Sequence, residues 1–182
     1  MIGVVGHRLL ADEDRLLAGI DEVVGRLEAT WPGPWRVRSS LAEGADRLVV
    51  RRLLERPGTS LVAVLPLPVD SYRTDFATRA SRTEFDGLLG RAHEIDEGPE
   101  QPVRDRAYEA AGLAVLTGAQ VLIALWDGAV ARGRGGTAHL VALARERGLP
   151  LAWVRAGNRA PGSDEPTSLG ADQGRVTFER FP

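Results

Sequence analysis

The 182-residue chain has no cysteine and no lysine, so all 23 of its basic residues are arginine. Without thiols there is no disulfide, no thiolate nucleophile and no cysteine metal site. Without lysine there is no Walker loop, whose lysine must reach the terminal phosphates. No apolar run approaches the roughly 18 residues of a membrane span. The opening MIGVVGHRLL also lacks the basic start and long apolar stretch of a secretory leader. The expectation is a cytoplasmic protein with no membrane partner. The arginines are set against 25 acidic residues, a net charge of −2, so no global field favours nucleic acid.

The length suits one well-buried core. Residues 1–156 are expected to form that domain, and residues 157–182, rich in Gly, Pro and Ser, a flexible segment with a short final strand in RVTFERF. Within the domain, short apolar runs alternate with longer helical patterns. IGVV (2–5), WRVRS (35–39), SLVAVLP (60–66), QVLIALW (120–126) and PLAWVR (150–155) read as strands. Leu16, Leu17, Ile20, Val23, Val24 and Leu27 share one helical face, as do Ala45, Leu48, Val49 and Leu53, and again Leu140, Val141 and Ala144. Ser81 and Glu84 have the spacing of a capping box opening a helix to about Arg91. HEIDEGPEQPVRDR then reads as a solvated, mobile loop before a helix containing Tyr108 and Leu113. Strands alternating with helices imply an α/β fold, a three-layer, Rossmann-like open parallel sheet with helices on both faces. Ligands of such sheets bind beyond the carboxyl ends of the strands, where the strand order reverses.

Four of the expected strand ends carry unusual residues. The first is followed by Gly6, His7 and Arg8, and the second by Ser39, Ser40, Glu43, Gly44, Asp46 and Arg47. After the third come Tyr72, Asp75 and Phe76, and after the fourth Asp127 and a loop with Gly128, Gly133, Arg134, Gly135, Gly136, Thr137 and His139. A glycine loop opening a helix lets backbone approach a ligand and points free N–H groups at an anion. Each piece also has a plain structural reading: a tight turn, a hydrogen-bonding histidine, a helix-start aspartate, core aromatics. What favours a site is that all four groups fall at one end of one sheet.

Other chemistries lack their patterns. GVVGHR has the wrong spacing for the dinucleotide fingerprint, Ser39 and Ser40 have no nucleophile elbow, and His7, His93 and His139 lack metal-ligand spacing. No metal and no cofactor is expected.

Taken in order, GHR, SSLAEGADRLV, LPLPVDSYRTDF and LWDGAVARGRGGTAHLV resemble the SLOG superfamily, the LOG/DprA-like Rossmannoid group that includes YpsA-like and TRPM-associated sensor domains. The resemblance covers about residues 1 to 155. It implies a nucleotide-derived ligand at the glycine loop and self-association as a dimer or higher oligomer. Its cytokinin-activating enzymes cleave nucleoside 5′-monophosphates, with a P-G-G-x-G-T loop followed by paired glutamates. Here GRGGT is followed by Ala138, His139 and Leu140, so the enzymes' carboxylates are missing.

The resemblance therefore favours a binding or sensor domain, in bacterial stress or antiphage signalling. In that role Gly133, Gly135, Gly136 and Thr137 cradle phosphate, Arg8 and Arg134 pair its charge, Glu43 or Asp46 accepts ribose hydroxyls, and Tyr72 or Phe76 stacks on a base. The alternative is a nucleotide N-glycosidase or phosphoribohydrolase in which Glu43 or Asp46 is catalytic. An assembly subunit with a vestigial pocket is the third reading.

Overall fold

The computed structural model describes residues 1–131 and 134–181. Seven strands form one sheet: β1 (Ile2–Gly6), β2 (Arg36–Ser39), β3 (Ser60–Leu65), β4 (Ala92–Glu97), β5 (Val121–Trp126), β6 (Leu151–Arg155) and β7 (Val176–Glu179). They lie in the order β4-β3-β2-β1-β5-β6-β7. All neighbouring pairs are parallel except β6 and β7. The direction of winding reverses at β1 and β5, whose ends at Gly6 and Leu125 are in register.

Helices α1 (Glu13–Thr30), α2 (Ala45–Leu53), α3 (Val69–Arg73), α4 (Arg79–Leu89), α5 (Arg104–Leu116) and α6 (Thr137–Glu146) connect the strands. Alternation along each strand divides two cores. Val121, Ile123 and Leu125 join Leu16, Ile20 and Val49 from α1 and α2, whereas Leu122, Ala124 and Trp126 join Val115, Leu140 and Val141 from α5 and α6. Every residue of β5 is buried, which explains why its sequence is apolar without a break. The fold is thus an α/β three-layer, Rossmann-like arrangement, as the alternating pattern implies. Among the described residues no helix is long and apolar enough to cross a membrane.

Two local readings of the sequence are corrected. First, β4 lies inside the acidic stretch read as a mobile loop, as an edge strand paired with β3. Five of its six residues are exposed, so it carries no apolar alternation. Second, the helix expected from Ser81 begins at Arg79, capped by Thr78, whose hydroxyl accepts the Ser81 N–H at 3.0 Å. In the segment after β3, Val69–Arg73 form the short helix α3.

Residues 157–181 return to the domain. There β7 pairs with β6, and the buried Gln173 side chain accepts from the N–H of Gly157 (2.9 Å) and Leu169 (3.2 Å) while donating to the Ala11 carbonyl (2.7 Å).

Candidate functional site

The ends of β1 and β5 open into a crevice, and two of the loops above it meet through glycine. Gly44 immediately precedes α2 with φ +78°, and a Cβ there would stand 2.4 Å from the Arg8 carbonyl oxygen. A Cβ on Gly6 would meet the Ala45 Cβ at 2.3 Å. The Ala45 N–H donates to the His7 carbonyl at 3.0 Å. These two glycines bring α2 onto the end of β1, a packing role that the sequence does not separate from a ligand role.

The glycines of the loop before α6 behave differently from one another. Gly135 has φ +78° and stands against the Glu109 backbone, about where a Cβ would be 3.1 Å away. Its N–H donates to His139 Nδ1 at 3.0 Å. Gly136 has open space where a Cβ would be, and α6 begins there with no side-chain cap. The first-turn N–H groups of a helix have no intrahelical partner, so this end can receive an anion. Arg134 pairs with Glu109 at 2.7 Å and is largely exposed. Gly133 lies outside the described residues.

Beneath this loop lies a cavity of about 320 Å³ whose wall includes Gly6, Arg8, Ser40, Asp46, Tyr72, Tyr108, Arg134, Gly135, Gly136 and Thr137. Small-molecule sites commonly span roughly 300–1,000 Å³. On the other side of the loop a second cavity of about 710 Å³ is walled by His7, Arg8, Glu43, Asp127, Arg134, Gly136, Thr137, His139, Asn158 and Arg159, among others.

Asp46 is a buried acid in the wall of the first cavity. Its Oδ2 accepts from the Ser39 hydroxyl at 3.0 Å and from the Ala42 N–H at 3.4 Å. Burial outweighs these hydrogen bonds and the Arg47 charge, so the carboxyl is pushed up to about 6. Such a group changes charge near neutrality, a property shared by catalytic acids and bases. Glu43 is more constrained, accepting from the Arg8 guanidinium at 3.1 Å and from the Ser81 hydroxyl at 2.5 Å.

Tyr72 packs edge-on against Phe76 and Phe85, with ring centroids 5.0 and 5.6 Å away. Its hydroxyl is pushed upward first by burial and then by the Asp46 charge, with Arg8 opposing. Tyr72 is therefore placed to offer a hydroxyl to the cavity. Tyr108 on α5, absent from the sequence-derived set, lines the same cavity; its hydroxyl donates to Asp75 at 2.5 Å. Nothing in the local pattern of α5 marks it, since its placement depends on α5 lying over β1 and β3.

His7 Nε2 accepts the Asp127 backbone N–H at 3.1 Å. With that nitrogen accepting, the ring proton is on Nδ1, and the 3.3 Å approach of Asp127 Oδ1 is no ion pair. Burial lowers the imidazole pKa more than the Asp127 charge raises it, so the ring is neutral at pH 7. Asp127 also accepts the Ala129 N–H at 2.9 Å.

Besides Gly44, the sequence-derived residues Ser39, Asp75, Phe76 and Arg47 stand apart from the cavities. Ser39 is wholly buried and supports Asp46 and the Leu41 N–H. Asp75 binds Arg104 and Tyr108. Phe76 is in the core. Arg47 is 1% exposed, stacked 4.3 Å from the Phe76 centroid, and donates to the Leu41 and Ser81 carbonyls, the Ser81 hydroxyl and Glu84. The Ser81 and Glu84 pair that reads as a capping box thus forms a receptor for this arginine. Among the described residues no group of three or more His, Asp or Glu comes together as a metal site.

No family model matches the chain, and no curated protein does so either.

Proposed function

We propose that the chain is a SLOG-type domain that binds a nucleotide or nucleotide-derived small molecule at the β1/β5 crevice, as a sensor or binding module in bacterial stress or antiphage signalling. The observation that carries this reading is the uncapped start of α6, with the open face of Gly136 toward the crevice and Arg8 and Arg134 in the same wall. Helix N–H groups and two guanidiniums suit a phosphate. The Asp46 carboxyl suits ribose hydroxyls, and the Tyr72 and Tyr108 side chains suit the base end. By the resemblance, the domain acts as a dimer or higher oligomer.

The reading is tested by incubating the protein with nucleoside monophosphates, NAD-derived compounds and cyclic nucleotides, then comparing free and protein-retained material by mass spectrometry. Retention of one intact compound, lost in Thr137→Glu, is the expected result. Retention unchanged in Thr137→Glu refutes the phosphate assignment.

One observation favours the hydrolase as a second reading: the Asp46 carboxyl, at about 6, faces the cavity. As carboxylate it can stabilise an oxocarbenium-like centre, or take the proton that attacking water loses as its oxygen bonds to C1′ and the C1′–N bond breaks, the departing base taking its proton from solvent and Asp46 returning its own to solvent afterwards. Appearance of a free base, abolished in Asp46→Asn, selects this reading over the sensor.

A further inference from the structure

We infer that the loop between β5 and α6 is latched by two histidines acting as hydrogen-bond acceptors, His7 at its start and His139 at its end, so that a proton on either imidazole frees that end. The latch stands on the loop alone; its bearing on the anion site at α6 rests on the proposed nucleotide reading.

The structure describes the two ends of this loop, 127–131 and 134–136. At each end a backbone N–H donates to an imidazole nitrogen. The Asp127 N–H donates to His7 Nε2 at 3.1 Å, and the Gly135 N–H donates to His139 Nδ1 at 3.0 Å. The two rings come from distant parts of the chain, one just after β1 and the other in the first turn of α6. An accepting nitrogen carries no proton, so the ring proton is on Nδ1 of His7 and on Nε2 of His139. A protonated imidazole has an N–H at both nitrogens and accepts from neither. Protonation therefore sets N–H against N–H and the bond is lost. Histidine is the side chain whose ordinary range places this change between pH 5 and 8.

The starting end has a second arrangement ready. Asp127 Oδ1 lies 3.3 Å from His7 Nε2 and accepts the Ala129 N–H at 2.9 Å. A cationic His7 donates to that carboxylate, in competition with Ala129, instead of accepting from the Asp127 backbone. At the other end, Gly135 holds φ +78° and leads into Gly136, where α6 begins. Glycine loses more conformational freedom on ordering than any other residue, so the His139 bond counts at this point. What it sets is the approach to the helix start that faces the crevice.

The charged groups around the two rings are largely committed to one another. Arg8 pairs with Glu43 and Arg159 with Asp164 in the cavity wall shared by both histidines, and Arg134 pairs with Glu109, which backs Gly135. Asp127 has no arginine partner among the described residues, and its charge favours a proton on His7. Burial opposes that proton more strongly. His7 thus binds its proton less readily in the folded chain than in the unfolded one, where the value is about 6.5. Its part of the latch is complete above that value and is lost as pH falls below it.

The test is an NMR titration of the ligand-free, nitrogen-labelled protein from about pH 7.5 to about pH 5. At the upper end the ring nitrogens are expected to show the Nδ1–H tautomer for His7 and the Nε2–H tautomer for His139. On acidification the Asp127 amide proton is expected to move upfield with the midpoint of the His7 ring, and the Gly135 amide proton with that of the His139 ring. His7→Gln and His139→Asn each keep an acceptor near the lost nitrogen that takes no proton in this range. The first is expected to abolish the Asp127 shift alone, and the second the Gly135 shift alone. Signal dispersion shows whether each variant is folded, and the natural protein decides the question by itself if one is not. The opposite tautomer at either histidine, or amide shifts that do not follow the imidazole midpoints, overturns the latch. Because the probe is the proton, that failure leaves nucleotide binding standing, and a protein that retains no nucleotide still shows the latch.

Discussion

Gly44 and Arg8 are in backbone contact, so close that a Cβ on Gly44 would lie 2.4 Å from the Arg8 carbonyl oxygen. The contact joins the β1 and β2 loops, and the positive φ of Gly44 adds the cost of left-handed backbone for any residue with a Cβ. Gly44→Ala is expected to cost about 2–4 kcal/mol in unfolding free energy. Gly136→Ala, whose Cβ enters open space, should cost less than about 1 kcal/mol yet weaken phosphate binding. Urea denaturation of the two variants separates them; equal stability losses would contradict the distinction between a packing glycine and a ligand-facing one.

Asp46 makes stability depend on pH in an unusual direction. Its folded pKa of about 6 exceeds the roughly 3.9 of an unfolded aspartate, so between those values the folded state holds a proton the unfolded state has lost. Stability attributable to this residue therefore falls as pH rises from about 4 to about 6, then stays level. Relative to the natural protein, Asp46→Asn should gain on the order of 3 kcal/mol across that window. The comparison removes the contributions of other carboxylates. Denaturation curves at pH 4, 5, 6 and 7 measure it, and a pH-independent difference would show an unperturbed acid.

Arg47 is a structural cation. Arg47→Met leaves the Leu41 and Ser81 carbonyls without their donor and removes one of the two arginines on Glu84, Arg51 being the other. A loss of about 2–4 kcal/mol is expected, with ligand affinity unchanged in the folded fraction. A variant with normal stability but reduced binding would return Arg47 to the site.

Gln173 pins residues 157–170 to the domain through three hydrogen bonds of its side chain. Gln173→Leu leaves the Gly157 and Leu169 N–H groups and the Ala11 carbonyl without this partner, at a cost of about 2–4 kcal/mol. Hydrogen exchange should accelerate first at the amides of Gly157 and Leu169. Unchanged protection there would mean that β7 alone holds the segment.

How much of this was legible in the sequence depended on whether the signal was local. Five strands and the main helices follow from side-chain periodicity, because β1, β3, β5 and β6 are covered on both faces and selected for apolar runs. β4 escaped notice because its side chains are solvated and only hydrogen bonding to β3 makes AHEIDE a strand. Ser81 and Glu84 have cap spacing, yet Thr78 caps the helix and Arg47 takes both side chains.

The same divide runs through the candidate site. The sequence by itself determined the α/β alternation, the strand ends where ligand groups gather and the glycine loop that opens α6, since backbone hydrogen bonding and burial act over a few residues at a time. Only the tertiary structure decided that Gly44 serves packing while Gly136 faces open space, that Arg47 and Phe76 belong to the core, and that Tyr108 lines the cavity. Those outcomes depend on the approach of α2 to β1 and of α5 to the sheet, distances between elements far apart in the chain that no local pattern encodes.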